Sequence, residues 1–264
     1  MEILAFYWPN VLAGLLIAAG LGLLGLHIVA RNQALEAYVL GQEIQTSIVL
    51  IAFALMGANA HSDHGLHIES VFSLGLAFIL HLGFLKASRF WPSLRMEISV
   101  AAIFFFMALN NFLMSMSPLI EGHMVASLLG DIATATKAES IGIAIGSCAL
   151  LFIYAWKNRP FLDETIEAAL FEKRPKNLAL TAMLVLFMGV SAHIFGLLFT
   201  ICMLLIGPLT LNIMGGIGLA RSNFLLVGLN CSAVALGFWS MNWFERAPTS
   251  VCIVLWAFFI ALIS

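Results

Sequence analysis

Apolar residues run along this chain in nine long blocks, near 8–30, 37–58, 69–86, 97–117, 139–157, 177–193, 195–213, 223–241 and 249–264. Turn residues and charges are concentrated in the gaps between them. Each block is close to the roughly 20 residues an α-helix needs to cross the hydrocarbon core of a bilayer. A backbone in lipid must satisfy its own polar groups, so the blocks predict helices. Between the fourth and fifth blocks, 124–136 is too short to span and predicts an interfacial or re-entrant helix. The pattern predicts an all-α polytopic membrane protein with about eight to nine transmembrane helices, residues 1–264 forming a single transmembrane domain.

Composition agrees. Of 264 residues, 62% are hydrophobic and 10% charged, with a mean hydropathy of +1.02, against roughly half apolar and one-quarter charged in a soluble domain. A soluble globular protein is excluded, and the short connections leave no room for an extramembrane domain. The 12 basic and 14 acidic residues give a net charge of −2, which provides no field for nucleic acid. With no Walker phosphate loop in the chain, ATP chemistry must come from a partner. Cys148, Cys202, Cys231 and Cys252 stand singly in apolar runs and read as small core hydrophobes, not as a disulfide or metal framework. The first residues, Met1-Glu2-Ile3-Leu4-Ala5, carry no basic region of the kind that precedes a cleavable signal, so they are expected to be retained.

Charge changes the picture by giving the spans a direction. Arg31, Lys86, Arg89, Arg95, Lys157, Arg159, Lys173, Arg174, Lys176 and Arg221 follow odd-numbered spans, and only Lys137 and Arg246 follow even-numbered ones. By the positive-inside rule those ten mark the cytoplasm. The N-terminus is then outside, as is the loop His61-Ser62-Asp63-His64-Gly65-Leu66-His67-Ile68-Glu69. The connection 158–176 is cytoplasmic, short and charged, a contact surface rather than a domain.

Polar groups at membrane depth are costly and mark function by default, although many only bond between helices. In the second span Tyr38, Gln42 and Gln45 share one helical face, and Glu36, Glu43 and Ser47 share the other. A carboxylate as deep as Glu43 reads as lining a path. Asn110 and Asn111, midway along the fourth span, fit a path or interhelical hydrogen bonding equally. His27, His81 and His193 lie in or at the ends of spans, and two facing histidines can hold a haem; single histidines at different depths fit structural roles better. In the outer loop His61, Asp63, His64, His67 and Glu69 offer imidazole and carboxylate ligands of the type zinc prefers, in a spacing that equally fits a solvated turn.

Four stretches in order resemble the permease subunit of the ABC importers that carry zinc, manganese or iron. Ser127-Leu128-Leu129-Gly130-Asp131-Ile132 resembles that family's Gly-Asp stretch before its fifth main span. Phe195-Gly196-Leu197-Leu198 through Leu204-Leu205-Ile206-Gly207-Pro208 resembles its V-G-x-L-L…L-L-I-I-P signature, one residue longer. Phe161-Leu162-Asp163-Glu164 to Leu170 resembles its F-D-P-E-x-A segment without the proline, and Ala247-Pro248-Thr249-Ser250 its P-x-G turn with serine for glycine.

The resemblance implies a bacterial inner-membrane protein acting as a homodimer of permeases, without ATPase activity or a bound cofactor of its own. Cytoplasmic ATPase subunits would bind ATP and magnesium, and an extracytoplasmic binding protein would deliver the metal. The coupling element would follow Pro208, through Leu209, Leu211 and Asn212 to Arg221, with proline ending the span and Gly215-Gly216 and Gly218 turning the chain. One departure bears on cargo. The family's path-lining Asp and His fall, counted from Arg31-Asn32, on Tyr38 and Gln42, neither a strong metal ligand. Either Glu43 takes over, or solvated polar groups pass the ion, or the cargo is another small substrate. Zinc is favoured over manganese or iron by the imidazole-rich outer loop.

Overall fold

Every apolar block becomes a helix. The computed structural model describes residues 2–57, 65–116, 128–130, 135–171, 178–214, 219–241, 243 and 247–263. Within them lie α1 (Glu2–Ala30), α2 (Ala34–Gly57), α3 (Gly65–Phe90), α4 (Arg95–Met116) and α5 (Lys137–Trp156). These are followed by α6 (Asn158–Phe171), α7 (Leu178–Phe195), α8 (Leu197–Met214), α9 (Leu219–Ser240) and α10 (Thr249–Ile263). Seven of these are long and apolar enough to cross a membrane, and α8 and α10 are apolar but shorter. The expected helix within 124–136 falls mostly outside the described residues.

Local chemistry sets the ends. α1 stops at Ala30 because Asn32 adopts φ 53°, a left-handed conformation that asparagine tolerates. The Gln33 and Asn32 amides then donate to the carbonyls of Ile28 and Val29, at 2.9 and 3.0 Å. That closes the helix and reverses the chain within three residues. At the start of α5, Thr136 and Glu139 form a reciprocal capping box.

α1 packs against α5, α7, α8 and α9, whereas α2 packs against α3, α4, α7 and α8. α7 and α8 thus join two groups of helices. Glycines allow the closest crossings. Asn230 of α9 lies beside Gly22 and donates to the Ala18 and Met203 carbonyls, both at 2.9 Å, tying α9 to α1 and α8 inside the apolar layer.

One expectation is corrected and one gains a structure. Pro208 does not end its span: it sits inside α8, which runs on to Met214. Proline removes the amide that would have bonded the Leu204 carbonyl. That carbonyl lies against Gly25 of α1, where a side chain would collide with it, so the helix interruption is absorbed at a close helix crossing. The connection after α5, read as a charged contact surface, folds as the helix α6 over 158–171, with Phe161 and Thr165 buried and Ile166, Glu167 and Leu170 exposed. The four cysteines are unbridged; Cys202 and Cys252 are buried as expected, and Cys148 is exposed.

Candidate functional site

α2 runs through the interior of the chain, so Gln42, Glu43, Gln45, Thr46 and Ser47 are all buried and Tyr38 half-buried. The hydroxyls of Thr46 and Ser47 donate to the carbonyls of Gln42 and Glu43, at 2.8 and 2.7 Å, and need no further partner. Glu43 is different. Its side chain is 0% exposed, and Oε2 lies 2.8 Å from Nδ1 of His81 on α3. Oε1 has no hydrogen-bond partner among the described residues.

The layers around this pair are apolar. On one side Val39, Phe84 and Phe106 pack together, and on the other Val49 packs with Leu113. Asn110 lies four residues after Phe106 and three before Leu113, on the same face of α4 and so between those layers, towards α2 at about residues 42–46. It is 0% exposed, and neither its Oδ1 nor its Nδ2 has a partner among the described residues. Gln45 Nε2 is also buried without one. A carboxylate, an imidazole and an amide thus occupy one polar level in the three-helix group α2, α3 and α4.

This arrangement narrows the expected roles. Glu43 faces α3 within its own chain and is closed to solvent, so it presents nothing to a second copy. Asn111 is exposed on the outer face of α4 and is separated from Asn110, its expected companion. His61, Asp63 and His64 lie outside the described residues, as do the side chains of His67 and Glu69. Among the described residues no three His, Cys, Asp or Glu side chains come together.

His81 is the functional candidate that sequence reasoning passed over as structural. α2 and α3 pack side by side, which sets position 43 against position 81. Pairing the second and third apolar blocks as antiparallel neighbours, in register about their midpoint in sequence, would have found the pair. His27 does behave as a structural histidine. Its Nδ1 lies 2.7 Å from Thr165 Oγ1, and its Nε2 2.8 Å from the Tyr154 hydroxyl. With both nitrogens engaged it offers no lone pair to a haem iron.

Thr165 collects more than one partner. Arg31 donates to its hydroxyl through Nε and Nη2, at 3.1 and 2.8 Å, and Arg31 Nη2 lies 3.9 Å from Glu164. The Thr165 hydroxyl in turn lies 2.7 Å from the Phe161 carbonyl. Through this buried cluster α6 is fastened to the end of α1, and any displacement of α6 acts on α1.

The expected coupling residues divide. Pro208 and Leu211 are buried, whereas Leu209, Asn212 and Arg221 are exposed. Leu211 points inward because α8 continues past the proline and keeps its inner stripe, so only the three exposed residues can meet another subunit. Gly215, Gly216 and Gly218 lie outside the described residues.

Three of the four stretches that carried the family resemblance converge in space. Gly130 and Gly196 both have positive φ, 52° and 86°, and their backbones touch so closely that a side chain on either would strike the other's strand of chain. Ser250 completes the contact: its hydroxyl lies 2.6 Å from the Leu129 carbonyl oxygen and 2.8 Å from that of Gly130. Three segments more than 50 residues apart thus form one junction among α7, α8, α10 and residues 128–130.

No protein-family model matches the sequence, and no curated protein matches it. Among solved structures the fold is similar to PsaBC from Streptococcus pneumoniae in complex with Fab, with a TM-score of 0.77 at 16% identity. The match covers 100% of this chain and 91% of that chain. At that identity the likeness is one of fold alone.

Proposed function

We propose that this chain is the membrane-spanning permease of an ABC importer that moves a divalent metal ion, zinc before manganese or iron, across a bacterial inner membrane. The observation that carries the reading is the whole-length fold likeness. A buried carboxylate and imidazole in contact at membrane depth add to it, because those groups bind a divalent cation and are costly to bury without a role. Two copies would pair, cytoplasmic ATPase subunits would dock near Leu209, Asn212 and Arg221, and an extracytoplasmic binding protein would deliver the ion. The chain supplies no ATPase chemistry. Closure of the ATPases shifts the paired permeases between inward- and outward-facing states.

Cargo identity is the finer part of the proposal. The imidazoles of 61–69 support zinc. Manganese and iron are the rivals, because the family that the sequence resembles carries all three. A different small substrate is the second reading, favoured by Tyr38 and Gln42 at the positions where the family resemblance places stronger ligands. Proteoliposomes containing this permease with its ATPase and binding protein should accumulate zinc in an ATP-dependent manner, faster than manganese or iron supplied separately. Absence of ATP-dependent flux for all three metals would overturn the metal reading.

Orientation follows from the ten-to-two division of basic residues. In a background without native cysteines, Ala138→Cys at the start of α5 should react with an impermeant maleimide added outside intact cells, and Ser93→Cys should react only after lysis. The reverse pattern would put the basic end outside.

A further inference from the structure

At the basic end of the bundle, the end of α1, the start of α2, the end of α3 and the start of α7 wall a cleft of about 380 Å³. That volume lies in the range of sites that hold small ligands, roughly 300–1,000 Å³. Its charged lining is Arg31, Lys86, Arg89 and Arg95 against the single carboxylate Glu36. The carboxylate is already committed: Arg95 pairs with one oxygen, and Gln33 Nε2 donates to the other at 3.0 Å. Arg31 has Thr165 and Glu164. Lys86 and Arg89, one turn apart on α3, have no ion-pair partner among the described residues and leave the cleft with an uncompensated positive charge.

The rest of the lining is mostly apolar, with Gln33, His81, Ser88 and Thr181 set among the leucines. Leu82, Leu85, Leu178 and Leu184 form walls beneath the cations. Phe90 and Trp91, which follow Arg89 in sequence at the end of α3, are 68% and 57% exposed. Aromatic rings at the end of a span lie at the depth of lipid headgroups. The cleft therefore has cations at headgroup depth and largely apolar walls, with two exposed aromatic residues following Arg89 along the chain.

We infer that this cleft is a binding site for the phosphate of an anionic phospholipid from the leaflet at the basic end, with Lys86 and Arg89 as its anion contacts. Charge complementarity selects an anionic headgroup over a zwitterionic one. The apolar walls continue along the acyl chains, and this distinguishes a lipid from a free phosphate, which would leave them uncovered. An acidic segment of a soluble protein would meet the same cations, but it would have to place polar backbone against those leucines. The cleft also reaches His81, but the inference rests on the cations at its mouth and needs only that the chain spans a bilayer.

The test uses the full-length chain purified in a neutral detergent and titrated with phosphatidylglycerol or phosphatidylcholine, bound lipid being counted by native mass spectrometry. Phosphatidylglycerol should bind in preference. Lys86→Gln with Arg89→Gln, both exposed and so compatible with folding, should weaken that binding roughly 10- to 30-fold, the effect of losing two basic contacts. Lys157→Gln with Arg159→Gln, outside the cleft, should leave it unchanged. Equal retention of the two lipids, or an equal loss in the control pair, would show general surface attraction and overturn the inference. Competition by millimolar glycerol phosphate as complete as that by the lipid would mean a free-anion site and overturn it as well.

Discussion

Glu43→Gln is expected to reduce metal uptake about 10- to 100-fold in the assembled transporter while the protein still inserts and purifies, the range seen when a group that holds or orients a metal ligand is lost. The amide keeps the shape of the carboxylate and its contact with His81 Nδ1, but removes the negative charge that a divalent cation would need. A purely structural pair predicts something else. Breaking a buried charged pair on one side destabilises by about 3–5 kcal/mol, whereas replacing both members with apolar residues is commonly neutral. Glu43→Leu combined with His81→Leu should therefore recover the thermal stability that either single change loses. If the double variant also recovers uptake, the pair is structural and the polar level between α2, α3 and α4 has no part in transport.

Gly196→Ala is expected to cost about 2–5 kcal/mol, the sum of a left-handed conformation forced on a residue with a Cβ, about 1–2 kcal/mol, and overpacking of about 1–3 kcal/mol. The new methyl would meet the Leu129 carbonyl group and the Gly130 nitrogen, which are backbone and cannot swing aside as a side-chain tip can. The loss should appear as a lowered unfolding temperature in detergent and poor yield of monodisperse protein. Gly142→Ala is the control: nothing lies within 4 Å of the added carbon, so the change should be neutral or slightly stabilising in a helix. Equal behaviour of the two variants would remove the junction at Gly130, Gly196 and Ser250 from the account of stability.

Several parts of this architecture were legible before any coordinates. The nine apolar blocks match nine helices, because hydrophobic length and backbone self-satisfaction are properties of each segment alone. Glu43 was legible as exceptional for a similar reason, since burying a carboxylate is costly whatever surrounds it. Pro208 was misread because the rule for proline concerns its own helix, whereas here a second helix, at Gly25, accepts the uncovered Leu204 carbonyl. α6 was missed as a helix because its pattern is amphipathic rather than apolar, and its buried side is set by what α1 presents to it: His27 and Arg31 turn Thr165 inward.

By itself, then, the sequence determined the class, the number of apolar helices, the segregation of basic residues to one end and the short motifs that resemble a permease family. These are one-dimensional quantities, set by local hydrophobicity, charge and spacing. Only the tertiary structure decided which polar residues meet. It paired Glu43 with His81, separated Asn110 from Asn111, turned Leu211 inward while leaving Asn212 exposed, and joined residues 129, 130, 196 and 250 into one junction. The physical reason is that helix rotation and partner choice depend on packing against other helices, and the nine helices of the apolar blocks are apolar on most of their circumference, so the pattern along any one of them does not say which side faces in.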